Sequence, residues 1–321
     1  MSWVAVTKKD YRDAIRSPYF WGVTGGITLI VGIFLFQIVQ RLLDVVAQAQ
    51  QQGVQVQLTT DLFVTTLRVG FQVLVPVLAI VVAYTSIAGE RDSGTLKLLL
   101  SLPNTRRDVL VGKLVGRSAV VATPILVAFA VGAVIFPFSQ FTFVPETYLA
   151  FAALTLLLGI VFVALALGVS AAVRSSRRAA VGSFGVFAYL VFLWNGLSRN
   201  LPSLLARVFD MKQTTQLRLE VFLHLLNPMA AYHSLVYSTS ASDATVAKAR
   251  AILITRAGGT SPAAQSQAAS ATAQVRAVLL QRVFTNGVPW YFSDPMVVVY
   301  LLLWLVVPLV LGYLLFERSD L

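Results

Sequence analysis

Residues 118–173 read SAVVATPILVAFAVGAVIFPFSQFTFVPETYLAFAALTLLLGIVFVALALGVSAAV, and Glu146 is the one charged residue among them. Each half of this stretch is long enough for a helix to cross the hydrocarbon core of a bilayer, which takes about 20 residues. Helices are the expected structure, because backbone polar groups in lipid must find partners within the chain. The stretch therefore predicts two membrane helices, 118–145 and 147–173, joined by a tight hairpin.

The rest of the chain has the same apolar character. Of its 321 residues, 57% are hydrophobic and 12% are charged, and the mean hydropathy is +0.77. Soluble domains carry about a quarter charged residues. Further uncharged stretches of sufficient length occur at 17–40, 69–89, 179–198 and 295–316. The sequence therefore predicts an all-α integral membrane protein with six transmembrane helices.

The positions of the basic residues predict the orientation of these helices. Fourteen Lys and Arg residues lie in the two termini and in the second and fourth connections, whereas Arg41 and Arg68 alone occupy the opposite short connections. Positive residues favour the cytoplasmic side, and long loops do not follow this rule. We therefore expect both termini to be cytoplasmic and the long connection 199–294 to lie outside. The net charge of +11 is explained by this pattern rather than by nucleic-acid binding.

The segments outside the predicted spans also show helical patterns. Residues 1–16 separate an apolar face, with Trp3 and Tyr11, from a charged one, which is typical of an amphipathic helix at the membrane interface. The connection 199–294 is predicted to be a helical extracytoplasmic insertion between spans five and six, acting as a solvated spacer or a substrate gate. Its predicted helices cover 201–209, 214–226, 243–257 and 262–284. Residues 295–321 form span six and a cytoplasmic tail.

A charged segment with a group of leucines separates spans two and three. It reads GERDSGTLKLLLSLPNTRRDVLVGKLVGR from residue 89 to residue 117. Ser93-Gly94-Thr95 favours a helix start, and Pro103-Asn104-Thr105 favours a stop followed by a new start. The two turns between them are too short to cross a bilayer or to be stable alone. We therefore expect the leucines to dock into some other apolar surface, whereas a plain loop folded back on the membrane explains the leucines but not the stop and restart.

Basic residues and glycines recur at helical spacings around this segment. Arg106, Lys113 and Arg117 share one helix face, which suits lipid phosphates. Glycine pairs at close-packing spacing are Gly22 with Gly26, Gly112 with Gly116, and Gly182 with Gly185. Such pairs let membrane helices approach one another closely.

The segment resembles the cytoplasmic loop between spans two and three of ABC-type exporter permeases of the six-span (type V) class. That loop reads Glu-(Arg/Lys)-x-x-Gly-Thr-Leu-x-x-Leu-Leu-Ser-x-Pro, followed by a basic pair and Gly-Lys. The resemblance extends to the six-span plan and to LNPMAAYHSLVY at 226–237. It is nearest to the permeases of multicopper-enzyme maturation. The external segment 238–290 departs from the more compact members.

In such permeases the loop carries a coupling helix that inserts into a cleft on a separate ATPase subunit. The resemblance therefore implies an exporter subunit that is not itself an enzyme, with ATP and Mg bound by a partner ATPase and a second permease chain completing a dimer in the cytoplasmic membrane. Together with the leucine face, it assigns coupling to loop 90–117, in particular to Glu90, Arg91, Gly94, Thr95, Leu96, Leu98, Leu99, Leu100, Ser101, Pro103, Arg106 and Arg107.

The sequence argues against chemistry on this chain. It has no cysteine and no phosphate-binding glycine loop, and Gly112-Lys113 lacks the upstream glycine that such a loop needs. His224, His233 and Met229 are too few for a metal site. The uncharged spans contain no ionisable residue that would mark an ion route. No catalytic carboxylate pair or cofactor site is therefore predicted.

Uncharged polar residues within the spans are candidates for lining a substrate pathway, and each could equally hold helices together. They are Gln37, Gln72, Thr85, Thr123 and Asn195. A rival interpretation is a membrane scaffold that docks a cytoplasmic partner through the same loop without transporting anything. It accounts for the loop but explains less well the whole-chain resemblance and the prolines within spans, Pro76, Pro124 and Pro308.

Overall fold

The computed structural model describes residues 3–51, 60–96, 105–135, 142–239 and 289–318. These parts are almost entirely helical, as predicted. The helices are α1 Trp3–Arg16, α2 Pro18–Gln51, α3 Thr60–Ala83, α4 Ala88–Asp92, α5 Arg106–Ile135, α6 Pro145–Ala172, α7 Ser176–Ala188, α8 Trp194–Phe209, α9 Gln213–Leu225, α10 Pro228–Thr239 and α11 Asp294–Glu317.

Five helical stretches among the described residues are long and apolar enough to cross a membrane. They are Leu67–Asp92, Arg106–Val134, Pro145–Ala172, Ser176–Phe209 and Asp294–Glu317. They correspond to predicted spans two to six. The first predicted span, 17–40, lies in α2, a helix of 34 residues that is not among these five. The count of six spans therefore stays a prediction.

The boundaries of two spans differ from those predicted. Helix α5 begins at Arg106, twelve residues before the predicted span at 118, because the span was bounded by its last charged residue although the helix continues through the charged residues. The helix predicted at 201–209 is the end of the stretch Ser176–Phe209 rather than a separate element. This stretch ends where Asp210 adopts the left-handed conformation, with φ of 48°.

The chain forms two compact units, Met1–Phe187 with Leu302–Leu321, and Ala188–Leu301. In the first unit, an aromatic cluster joins α3, α5 and α6. The rings of Phe71, Phe129 and Phe151 lie with centroids 5.4 to 5.7 Å apart, and Tyr148 stands edge-on to Phe129. Tyr148 also donates a hydrogen bond to the carbonyl of Phe129, at 2.7 Å. The phenol is therefore satisfied where the three helices meet.

Close helix approach in the first unit depends on glycines that the sequence did not pair. A Cβ placed on Gly168 of α6 would lie 2.6 Å from the carbonyl carbon of Pro308, and one on Gly312 of α11 would lie 2.7 Å from the Cα of Gly168. Their partner backbones leave no room for a side chain. By contrast, a Cβ on Gly22 or Gly26 would meet no atom within 4 Å in the described part of the chain, so no close contact within the chain is seen there for that predicted pair.

The second unit contains a π-helical turn, Tyr189–Leu193, between α7 and α8. Asn227 is buried and bridges two backbone groups: its Nδ2 donates to the Leu190 carbonyl at 2.8 Å, and its Oδ1 accepts from the Met229 N–H at 2.9 Å. A single amide therefore ties the widened turn to the start of α10. Helix α9 ends before Asn227-Pro228, as predicted, whereas α10 was not predicted.

The remaining predicted helices of the insertion, 243–257 and 262–284, lie outside the described residues. A short 3-10 turn, Trp290–Phe292, precedes α11. At the start of α11, the hydroxyl of Tyr300 donates to the Tyr291 carbonyl at 2.8 Å. That bond fixes the entry of the chain into the last helix.

Candidate functional site

The loop between the second and third predicted spans begins as a break in a helix. Helix α3 ends at Ala83, residues 84–87 form a turn, and α4 follows. The first N–H groups of a helix have no intrahelical partner. Here the N–H groups of Ile87 and Ala88 both donate to Oγ of Ser170 on α6, at 3.1 and 3.0 Å. Helix α6 therefore fixes the start of the loop.

The end of α4 is attached to the turn between α6 and α7. Arg91 donates from Nη1 to the Val173 carbonyl at 2.8 Å, where α6 ends. The neighbouring Asp92 accepts the backbone N–H of Ser176 at 2.7 Å, where α7 starts. A cation at a helix C-terminus and an anion at an N-terminus both match the helix dipole. One short helix thus caps two others.

The first leucine of the predicted leucine face lies inside the chain's own core. Gly94 turns the backbone with φ of 74°, and Thr95 and Leu96 are again helical. Leu96 is 1% exposed and belongs to a buried cluster of Ile87, Leu96, Leu110, Leu167, Ala171 and Phe316. Leu96 is thereby anchored to α5, α6 and α11.

The next part of the predicted coupling set lies outside the described residues. It comprises Leu98, Leu99, Leu100, Ser101 and Pro103. The docking of the leucine face into a partner, and the coupling role of the whole set, stay predictions.

The predicted restart at Thr105 is confirmed. Helix α5 begins at Arg106, and Thr105 and Asp108 cap it reciprocally. The N–H of Asp108 donates to Oγ1 of Thr105 at 3.1 Å, while the N–H of Thr105 donates to Oδ2 of Asp108 at 3.1 Å. This is a capping box with aspartate in the glutamate position. The helix therefore starts at a defined residue after residues 95–102, which we call the leucine segment.

Arg106 connects this restart to the end of α11. Its Nη1 donates to the carbonyls of Phe316 and Glu317, the latter at 2.8 Å. Its guanidinium lies 5.2 Å from the centroid of the Phe316 ring, and that of Arg91 lies 5.6 Å from the same ring. Cations within about 6 Å of a ring face are attracted to it. Arg107, the other basic residue of the pair, is exposed.

Two cations and two carboxylates form a second set of contacts, which we call the charged cluster: Asp10, Glu90, Lys113 and Arg117. Nζ of Lys113 lies 2.8 Å from Oε1 of Glu90 and 3.6 Å from Oδ1 of Asp10. Arg117 contacts both oxygens of Asp10, at 2.9 Å from Nε and 3.1 Å from Nη2. Lys113 and Asp10 are 2% and 8% exposed, so these charges balance one another away from solvent.

The charged cluster corrects one sequence-based expectation. Arg106, Lys113 and Arg117 were expected to face lipid phosphates, but each has protein partners instead. Lys113 and Arg117 lie on α5 before the predicted span at 118–145, within the longer stretch Arg106–Val134. They were excluded from the predicted span because spans were defined as stretches without charged residues. In the structure they continue the same helix, and carboxylates from α1 and α4 pair with them.

Asp10 is the functional candidate that the sequence analysis missed. It lies on α1, on the same face as Val6 and Ala14, and this face packs against α5. The signal was a carboxylate within the apolar stripe of an amphipathic helix. The helix predicted over 1–16 is present as α1 Trp3–Arg16. Its place at the membrane interface stays a prediction.

Glycines on α5 let α1 approach closely enough for these ion pairs. A Cβ on Gly112 would lie 2.6 Å from Cβ of Val6, and one on Gly116 would lie 2.9 Å from Oδ2 of Asp10. The predicted pair of small residues therefore does form a packing surface. Oγ1 of Thr7 donates to the Gly112 carbonyl at 3.0 Å, which adds a polar contact to it.

The candidate pathway residues do not share one environment. Thr123 lies between helices, because its Oγ1 is 3.2 Å from the hydroxyl of Tyr11 on α1. Gln72 and Thr85 are half-buried, and Gln37 and Asn195 are exposed. Lining of a substrate pathway by these residues stays a prediction. Over the described ranges, no three His, Asp or Glu side chains are grouped as a metal site would require.

Comparison with known proteins identifies the family of the chain. The family described as "ABC-2 family transporter protein" matches residues 4–321. The chain is 29% identical over 277 residues to the probable ABC transporter permease protein NosY of Pseudomonas aeruginosa, covering 84% of this chain and 89% of that protein. It is 32% identical over 126 residues to the protein of the same description in Stutzerimonas stutzeri, covering 38% and 46%.

The family match runs through the capped loop, the charged cluster and all five membrane-length helices. Together they show that the chain belongs to the ABC-2 family of transporter proteins and is a multi-pass membrane permease component of an ABC transporter.

Proposed function

We propose that this permease is the transmembrane subunit of an ATP-driven exporter, in which a separate ATPase subunit binds ATP and Mg and drives export of a substrate still to be identified. Two permease chains and two ATPase subunits form the working unit. It lies in the cytoplasmic membrane with both termini on the cytoplasmic side. The family membership and the basic residues of the short connections support this assignment.

The observation that carries the proposal is the attachment of both flanks of the loop to helix ends. The flank before the leucine segment is bonded to α6 and α7 through Ser170, Val173 and Ser176. The flank after it is bonded to the end of α11 through Arg106. A force applied between the flanks is therefore passed to three membrane-length helices without a flexible linker.

The leucine segment itself supplies the docking element. Leu98, Leu99 and Leu100 enter a cleft on the ATPase, and closure of the ATPase pair on ATP displaces the segment. Because the flanks are held at helix ends, the displacement tilts these helices as rigid rods. Export follows from the opening of a path between the two permease chains.

Purification from native membranes tests the assignment directly. The chain has no cysteine, so a single Ser101→Cys variant carries one thiol in the predicted docking segment. We expect an ABC ATPase to copurify in mild detergent, and to become crosslinked to Cys at this position by a bifunctional thiol-to-amine reagent. A matched thiol at Arg12→Cys, on the exposed face of α1, serves as the control and is expected to crosslink weakly.

The same experiment separates the exporter from the scaffold. If a partner without ATPase activity is crosslinked at position 101, or no partner is recovered, the exporter assignment is wrong. A scaffold that docks a cytoplasmic partner through the same loop would then be the better description.

A further inference from the structure

The charged cluster connects the first helix to both ends of the loop. Asp10 on α1 contacts Arg117 and Lys113 on α5, and Lys113 also contacts Glu90 on α4. Arg117 in addition donates from Nη1 to the carbonyl of Val82, in the last turn of α3, at 3.1 Å. One carboxylate is therefore bonded, directly or through one cation, to three other helices.

The cluster is balanced only as a whole. It holds two positive and two negative side chains, and its centre is nearly closed to solvent, with Lys113 2% exposed. Removing one member of a buried ion pair leaves an uncompensated charge, which is strongly unfavourable, whereas removing both members is far better tolerated. A substitution that keeps the cluster balanced therefore has to remove one positive and one negative charge together.

Packing around Asp10 leaves little freedom for α1 to slide. Gly112 and Gly116 bring the α5 backbone against Val6 and Asp10, as the space for a Cβ shows. Thr7 and Tyr11 add hydrogen bonds to Gly112 and Thr123 on the same face. Helix α1 is therefore held to α5 by residues 6–11, about two turns that include Asp10.

We propose that Asp10 is a positioning residue that makes α1, α4 and the first turns of α5 move as one body, so that α1 follows the loop when the ATPase displaces it. This inference rests on the proposed exporter function. Asp10 has no place in the predicted docking segment and acts through Lys113 and Arg117. Its removal should therefore reduce coupling without removing the ATPase contact.

The test removes one balanced pair and keeps the other. In the double variant Asp10→Asn, Arg117→Gln, Lys113 retains Glu90 at 2.8 Å and no net charge is introduced. We expect the variant to assemble with the ATPase and to melt close to the wild type. We also expect permease-stimulated ATP hydrolysis to fall about fivefold or more, the usual range for coupling between sites. A purely structural role of Asp10 would lower the melting temperature and leave permease-stimulated ATP hydrolysis by the folded complex unchanged.

The matched control removes one positive and one negative charge from the exposed face of the same helix. In Lys9→Met, Asp13→Asn, both substituted residues are exposed and lie outside the charged cluster. We expect wild-type melting and wild-type stimulation. If the cluster double variant behaves like this control, the positioning role of Asp10 is overturned.

A distance measurement keeps the proposal testable whatever the ATPase does. Nitroxide labels on Arg12→Cys and Ser93→Cys, both exposed and placed on α1 and at the end of α4, report the separation of these helices in the purified full chain. We expect a narrow distance distribution, broadened in the Asp10→Asn, Arg117→Gln background. A distribution that is already broad without the double variant would contradict the proposal. If the wild-type permease did not stimulate ATP hydrolysis by its ATPase, that result would instead count against the exporter function.

Discussion

Two regions of this permease satisfy buried polar groups in opposite ways. The charged cluster uses full charges from three helices, with Lys113 and Asp10 almost inaccessible. The π-helical turn of the second unit uses one neutral amide, Asn227, to bond the Leu190 carbonyl and the Met229 N–H. The ion pairs of the charged cluster thus join separate helices, whereas the Asn227 amide satisfies backbone groups at the irregular π-helical turn.

The difference has energetic consequences. An unpaired buried charge typically costs about 3–5 kcal/mol, whereas an unsatisfied neutral group costs about 1–3 kcal/mol. The charged cluster should therefore be the more sensitive region to single substitutions. It should also be the region in which a second, compensating substitution restores more.

The largest effect is expected for Lys113→Met. Glu90 would lose its 2.8 Å partner, and Asp10 would retain Arg117 alone. We expect the melting temperature of the detergent-purified protein, measured by tryptophan fluorescence, to fall by on the order of 10 °C. Adding Glu90→Gln to Lys113→Met should restore more than half of this loss. No recovery in the double variant would mean that charge balance is not what stabilises the cluster.

A smaller loss is expected for Gly112→Val. The added side chain would overlap Val6 and the Trp3 carbonyl, since a Cβ alone would already lie within 2.8 Å of both. Overpacking typically costs about 1–3 kcal/mol, so we expect the melting temperature to fall by about 5 °C. Gly22→Val is the matched control, because no atom of the described residues lies within 4 Å of a Cβ at Gly22. Equal melting of the two variants would show that α1 does not pack on α5 in this way.

Asn227→Leu probes the neutral region and is expected to have the smallest effect of the three. The substitution leaves the Leu190 carbonyl and the Met229 N–H without their side-chain partner. We expect a fall in melting temperature of about 3 °C, which is less than for Lys113→Met. Asn200→Leu, at an exposed position on α8, is the control. A larger fall in melting temperature than for Lys113→Met would show that the π-helical turn, rather than the charged cluster, is the more sensitive region.

The membrane-length helices were the most predictable part of the fold. Residues 118–173 require helices because lipid offers no partners for the backbone, and α5 and α6 are observed there. The restart at Thr105 was predictable because capping chemistry is local. The burial of the charges of α5 was not predictable, because Lys113 and Arg117 find their carboxylate partners on helices that are distant in sequence.

The candidate site was predictable only where its signals are local. Arg91 and Arg106 were identified through the loop motif, but their bonds to the ends of α6 and α11 depend on tertiary packing. Asp10 was missed because the residues of α1 were assigned either to an apolar, buried face or to a charged, exposed face. A charged residue on the buried face fits neither group. Similarly, Gly168 and Gly312 lie on helices far apart in sequence, so spacing along one helix could not pair them.

The most direct test of the account is ATP hydrolysis by the purified complex carrying Leu99→Asp. A carboxylate in the leucine segment should prevent docking, so we expect permease-stimulated hydrolysis to be lost while the chain still inserts in the membrane and melts like the wild type. Leu99→Met, which keeps an apolar side chain of similar volume, should retain stimulation. Normal stimulation in Leu99→Asp would contradict the claim that this loop couples the permease to its ATPase.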